Sequence, residues 1–74
     1  MKAVTSIKEM EEKIELMENC TLFVTKELDD ELNRGLAALS KGFSASSEEV
    51  ELFFKVYELM DKLLEKGIRY EVEG

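Results

Sequence analysis

The sequence predicts a small α+β domain, and three observations carry that prediction. The first is the stretch Ser46 to Gly67, SSEEVELFFKVYELMDKLLEKG. At about 100° per residue, Val50, Leu52, Phe53, Phe54, Val56, Tyr57, Leu59, Met60, Leu63 and Leu64 fill one arc of roughly 220°. Glu51, Lys55, Glu58, Lys62, Glu65 and Lys66 fill the rest, and Asp61 falls at the margin of the arc, between Val50 and Phe54. The second observation is a pair of further segments with apolar residues at helical spacing. The third is a pair of short runs whose patterns suit strands better than helices. Together they give three helices, at about 7–18, 26–41 and 47–66, and two strands, at about 20–25 and 68–73. An all-α bundle is the alternative if both runs are helical or irregular.

Met1 to Thr5 is a short lead that is either frayed or adds a few extended residues. Ser6 with Glu9 reads as a capping box opening the first helix. Ile7, Met10, Ile14 and Met17 recur at three, four and three residues, and Glu9 with Lys13 suits an i,i+4 pair. Glu11, Glu12, Glu15 and Glu18 make the other side acidic.

At Asn19 the helical register fails, because continuing it would swing Leu22 and Phe23 away from the stripe. Cys20 to Thr25 is β-branched and aromatic and reads as a strand, with helical continuation as the alternative. Thr25 then caps a helix whose first turn carries Glu27, Asp29 and Asp30 near the positive end of the dipole. Its expected stripe is Leu28, Leu32, Leu36 and Leu39, and Gly42 is the expected stop. Gly35 costs about 1 kcal/mol against Ala inside this helix, which close approach by a neighbouring helix would explain.

Gly42 to Ser47 reads as a loop, with Phe43 folded back onto the preceding helix. In the helix that follows, Ser46 with Glu49 forms a second capping box. Glu51–Lys55 and Glu58–Lys62 are the expected pairs along its polar side. After Gly67, the run Ile68 to Glu73 alternates with period two, which turns Ile68, Tyr70 and Val72 to the core. Strands separated by two helices cannot form a hairpin. They pair across the domain or between subunits, and a dimer joining them into a larger sheet is open at this point.

The 74 residues suit one small domain, 1–74, and 45% apolar with 36% charged residues is the composition of a folded chain. The net charge of −7 argues against direct nucleic-acid binding and against anionic membranes. No run reaches transmembrane length, and MKAVTSIKEM has no signal-peptide core. Cys20 is the single cysteine, which points to a reducing, cytoplasmic setting.

No motif of catalysis, cofactor binding or metal binding occurs, and histidine is absent. Cys20 as a sulfur carrier or redox sensor would need a nearby cation, and its sequence neighbours offer none before Lys26, so the expected reading is a small buried hydrophobe. The run Glu27, Asp29, Asp30, Glu31 lacks the pattern of a calcium loop, and helix-start electrostatics explain it. Carboxylates along the helices would also suit an acidic DNA mimic inhibiting a nucleic-acid-binding protein, although interleaved lysines dilute that field. The passage TLFVTKELDDELNRGL followed by VELFFKVYELMDKLLEKG resembles a strand-helix-strand-helix passage of the DsrE-like sulfur-relay proteins. That resemblance implies a strand at Val50 to Lys55 and draws attention to Cys20. The segregation from Val50 to Leu64 decides for a helix instead, so the resemblance is not adopted.

The apolar arc of the 47–66 helix is wider than a small domain needs, and surplus apolar surface marks an interface. The expected activity is therefore non-enzymatic protein binding, as a small acidic regulator, inhibitor or accessory subunit. The expected surface is Phe53, Phe54, Val56, Tyr57, Leu59, Met60 and Leu63, the expected state is a homodimer, and the expected partner is a second copy of the chain, another protein, or both.

Overall fold

The capping residues set the elements. In the computed structural model, which describes residues 2–73, Ser6 accepts from the Glu9 amide and opens α1, Ile7–Leu16. The box is only half formed, because the Glu9 carboxylate turns to the amide and hydroxyl of Thr5. Those bonds, the Thr5 amide first, hold the Glu9 carboxyl below its ordinary pKa. It makes no ion pair with Lys13. α1 stops two residues earlier than expected, with Met17 extended. The Lys66 ammonium donates to the Ile14 carbonyl, placing a cation on the negative end of the helix.

Asn19 then takes a left-handed φ of 52° and gives its amide to the Lys66 carbonyl at 2.8 Å. Gly67 lies against it with a φ of 65°. That left-handed φ favours glycine, and a Cβ there would also come within 2.5 Å of the Asn19 Oδ1, which would have to move. The paired left-handed residues launch two strands side by side: β1, Thr21–Thr25, and β2, Arg69–Glu73. They are parallel, with Leu22 opposite Tyr70 and Val24 opposite Val72. Val4 adds an isolated parallel bridge on the other side of β1, through bonds of 2.8 and 3.0 Å to Phe23 and Thr25. The lead thus belongs to the sheet from Val4, while Met1 lies outside the described residues. Both strand segments are extended, so the all-α alternative does not hold and the α+β class does.

Between the strands run α2, Lys26–Lys41, a short 3-10 turn at Gly42–Ser44, and α3, Ser47–Glu65. Thr25 caps α2 through the Leu28 amide. Ser46 and Glu49 form the complete reciprocal box on α3, with bonds of 3.2 and 3.0 Å. Val50 to Lys55 therefore lies inside a helix, not a strand.

One cluster of buried side chains is shared by every long element: Val4, Ile7, Met10, Ile14, Leu22, Val24, Leu28, Leu32, Val56, Leu59, Leu63 and Ile68. α2 presses on α3 at Gly35, where a Cβ would lie 2.8 Å from Val56 Cγ2 and 3.0 Å from Leu52 Cγ. That close approach, expected from the sequence, rotates the rest of α2. Gly35 and Ala38 take the buried side, while Leu36 and Leu39 are exposed. The stripe Leu28, Leu32, Leu36, Leu39 therefore holds only through its first half. Phe43 is fully exposed instead of folding back on α2. The 3-10 turn occupies its place in the chain and points it to solvent.

In β2, Ile68 is buried just before the strand and Tyr70 is half-buried, but Val72 is exposed. Alternation set its face correctly. Its exposure follows from β2 having one neighbour in the sheet among the described residues.

Candidate protein-interaction surface

The wide apolar arc of α3 divides into two seams. The inner seam is Leu52, Val56, Leu59 and Leu63, spaced four, three and four. Val56, Leu59 and Leu63 are buried in the domain's own core, and Leu52 packs against it. The outer seam is Val50, Phe53, Tyr57, Met60 and Leu64, spaced three, four, three and four, with Phe54 beside it. That is the spacing by which one helix presents a continuous ridge to another. Met60 and Phe53 are half-buried, and outward from them the exposure climbs: Tyr57 59%, Phe54 61%, Leu64 82%.

Of the seven residues singled out in the sequence, three are therefore occupied internally: Val56, Leu59 and Leu63. Phe53, Phe54, Tyr57 and Met60 face outward in whole or part. Val50 and Leu64 join them, and the heptad-like spacing of the exposed residues could have flagged both. The three aromatic rings form a small cluster. Phe53 meets Phe54 edge-on at 5.6 Å between centroids, and Tyr57 at 6.1 Å.

Charge around this ridge is one-sided. Lys55 and Lys62 do not pair with Glu51 and Glu58 along α3. They reach across to α1, Lys55 to Glu11 at 3.4 Å and Lys62 to Glu15 at 2.9 Å. The hydrogen bond from Lys62 lowers the pKa of Glu15 and raises that of Lys62 in return. With the lysines drawn toward α1, the residues bordering the outer seam on its solvent side are Glu51, Glu58, Asp61 and Glu65, all exposed. The ridge is apolar with an acidic rim.

The other candidates disperse. Asp29 accepts from the Tyr70 hydroxyl at 2.6 Å and from Asn33 at 3.3 Å, while Asp30 pairs with Lys26 at 2.9 Å. The two aspartates of the run are thus engaged in separate structural bonds, and no group of three or more metal-ligating side chains forms among the described residues. Half-burial raises the Tyr70 hydroxyl well above its ordinary pKa, and the Asp29 carboxylate adds to the shift. Cys20 is exposed, not a buried hydrophobe. It lines a shallow polar depression with Asn19, Thr21, Gly67 and Arg69.

At the far end, Lys41 and Glu49 are hydrogen-bonded across the 3-10 turn. That bond, aided by the Ser46 amide, holds Glu49 down at a pKa of about 2. No helix among the described residues is long and apolar enough to cross a membrane. No protein-family model, no curated protein and no solved structure matches this chain.

Proposed function

We propose that the chain is a non-enzymatic protein-interaction module, a small acidic regulator, inhibitor or accessory subunit of the cytoplasm, which binds through the outer seam of α3. The observation that carries this reading is the open ridge of Val50, Phe53, Phe54, Tyr57, Met60 and Leu64 on a helix whose inner seam already completes the core. Aromatic residues and a methionine, half-buried to exposed and at coiled-coil spacing, are the chemistry of a helix-in-groove contact. The occupant we assign is an amphipathic helix of another protein with lysine or arginine flanking its apolar face. The support is the rim: Glu51, Glu58, Asp61 and Glu65 attract such a partner and repel an identical helix.

Two synthetic helical peptides with the same leucine face, one flanked by lysine and one by glutamate, test this by fluorescence anisotropy. The lysine peptide is expected to bind and to weaken with salt; Phe54→Glu and Tyr57→Glu abolish binding. Both variants are expected to stay folded, within about 0.5 kcal/mol of the parent, because their side chains are exposed. Leu59→Ala, on the inner seam, is expected to cost about 2–5 kcal/mol. Failure of both peptides to bind overturns the reading. Salt-sensitive binding that ignores Phe54 and Tyr57 would shift it to the acidic faces and to mimicry of a nucleic acid.

A further inference from the structure

A second surface is built at the free edge of β2. The Arg69 amide donates to the Cys20 carbonyl at 2.8 Å, so Arg69, Glu71 and Glu73 turn their backbone groups toward β1. Alternation then turns the N–H and C=O of Tyr70 and Val72 outward. Among the described residues no strand pairs with that edge, and no helix or loop backbone bonds to it. A bare edge of this kind is an invitation to pair.

The order of residues along the edge decides what fits. If β2 meets β2 of a second copy antiparallel about a two-fold axis at Glu71, Tyr70 falls opposite Val72 of that copy. Each such pair exchanges two backbone hydrogen bonds, because both residues point outward. On the open face, Arg69 falls opposite the other copy's Glu73, twice by symmetry, and these opposite charges outnumber the single Glu71–Glu71 contact on the axis. On the helix face, Val72, 39% exposed in one copy, is covered by Tyr70 of the other. Leu36, also 39% exposed, lies on the same side of α2 as Asp29, which holds the Tyr70 hydroxyl at this edge. A two-fold contact closes on itself, whereas a parallel addition would leave a fresh edge each time.

We propose that the chain dimerises through β2, pairing it antiparallel with β2 of a second copy about an axis at Glu71 to form one continuous sheet. This places the homodimer on the strand edge and leaves the α3 ridge free, independently of what binds there.

Light scattering over a concentration series reads the dimer, and three changes locate it. Val72→Pro removes an outward N–H and leaves the β1 ladder intact, as proline does on an edge strand. It is expected to weaken dimerisation by about tenfold or more. Arg69→Glu is expected to weaken it, and Arg69→Glu with Glu73→Arg to restore it. In a Cys20→Ser background, Glu71→Cys is expected to form a disulfide-linked dimer on oxidation. Directly opposed residues at a non-hydrogen-bonded position have Cα atoms about 4.5 Å apart, within disulfide range. Glu58→Cys on α3 is expected not to cross-link. A chain that is monomeric throughout overturns the proposal. So does a dimer that withstands Val72→Pro and is lost with Phe54→Glu, which would put self-association on α3.

Discussion

Gly35→Ala separates two opposed physical effects and so tests the packing on which the α3 surface depends. In an isolated helix the change is favourable by about 1 kcal/mol. In this fold the new methyl would lie 2.8 Å from Val56 Cγ2 and 3.0 Å from Leu52 Cγ. Leu52 is half-buried, with part of its side chain open to solvent. Val56 is completely buried, and its branched side chain is confined to essentially one rotamer in a helix. Overpacking of this kind costs about 1–3 kcal/mol, which outweighs the helical gain. The expected result is a net loss of about 1 kcal/mol, read as a lower urea midpoint at unchanged slope. In a domain of this size that is a fall of about 4–8 °C in Tm. Val56→Ala alone is expected to cost about 2 kcal/mol from lost methyl burial and the space left behind. Combined with Gly35→Ala it should cost less than the sum, because the new methyl then occupies space that Val56 vacated. Stabilisation by Gly35→Ala would refute the close approach of α2 and α3. Strict additivity of the pair would refute the contact with Val56 in particular.

Two titrations follow from the hydrogen bonds that join distant segments. Tyr70→Phe removes the bond to Asp29 and is expected to cost about 1 kcal/mol at neutral pH. The folded-state pKa of Tyr70 is raised, so its contribution is complete below the unfolded value of 10.0 and declines as pH rises above it. Denaturation measured from pH 9 to 11 should therefore fall less steeply in the phenylalanine variant, and equal slopes would count against the bond. Glu49 shifts the other way. Its pKa is lowered from 4.5 to about 2 by Lys41 and Ser46, so its stabilisation is present above pH 4.5 and lost as pH falls toward 2. Glu49→Gln is expected to flatten that acid limb of the stability profile, and an unchanged limb would show that the α2–α3 corner does not hold in solution.

Much of the fold was legible because local chemistry and tertiary packing agree. Ser46 and Glu49 announced the start of α3. The alternation of Ile68 to Val72 announced β2, and the cost of Gly35 announced a close neighbour. What stayed hidden depended on which neighbour each side chain meets. The arc of α3 shows that ten residues are apolar, but only the positions of α1 and α2 divide it into a filled seam and an open one. Lys55 and Lys62 had suitable partners within α3, yet α1 brings Glu11 and Glu15 closer. Leu36 and Leu39 obeyed the helical period, and the contact at Gly35 turned them outward. Val4 gave no signal, since one residue in a bridge carries no period. Cys20 is exposed because it precedes β1 at the left-handed turn of Asn19, a geometry that residue type alone does not specify.

The parallel pairing of β1 with β2 also bears on how the chain reaches this fold. Joining Thr21 to Arg69 closes a loop that contains both α2 and α3, and that closure costs entropy before any strand bond repays it. The two helices share a short connection and meet through near neighbours, so their hairpin can assemble first and shorten the effective loop. Folding rate should then respond to changes at the Gly35–Val56 crossing, while changes in β2 should chiefly accelerate unfolding. The strand that carries the proposed dimer edge is thus expected to be the last to settle and the first to leave.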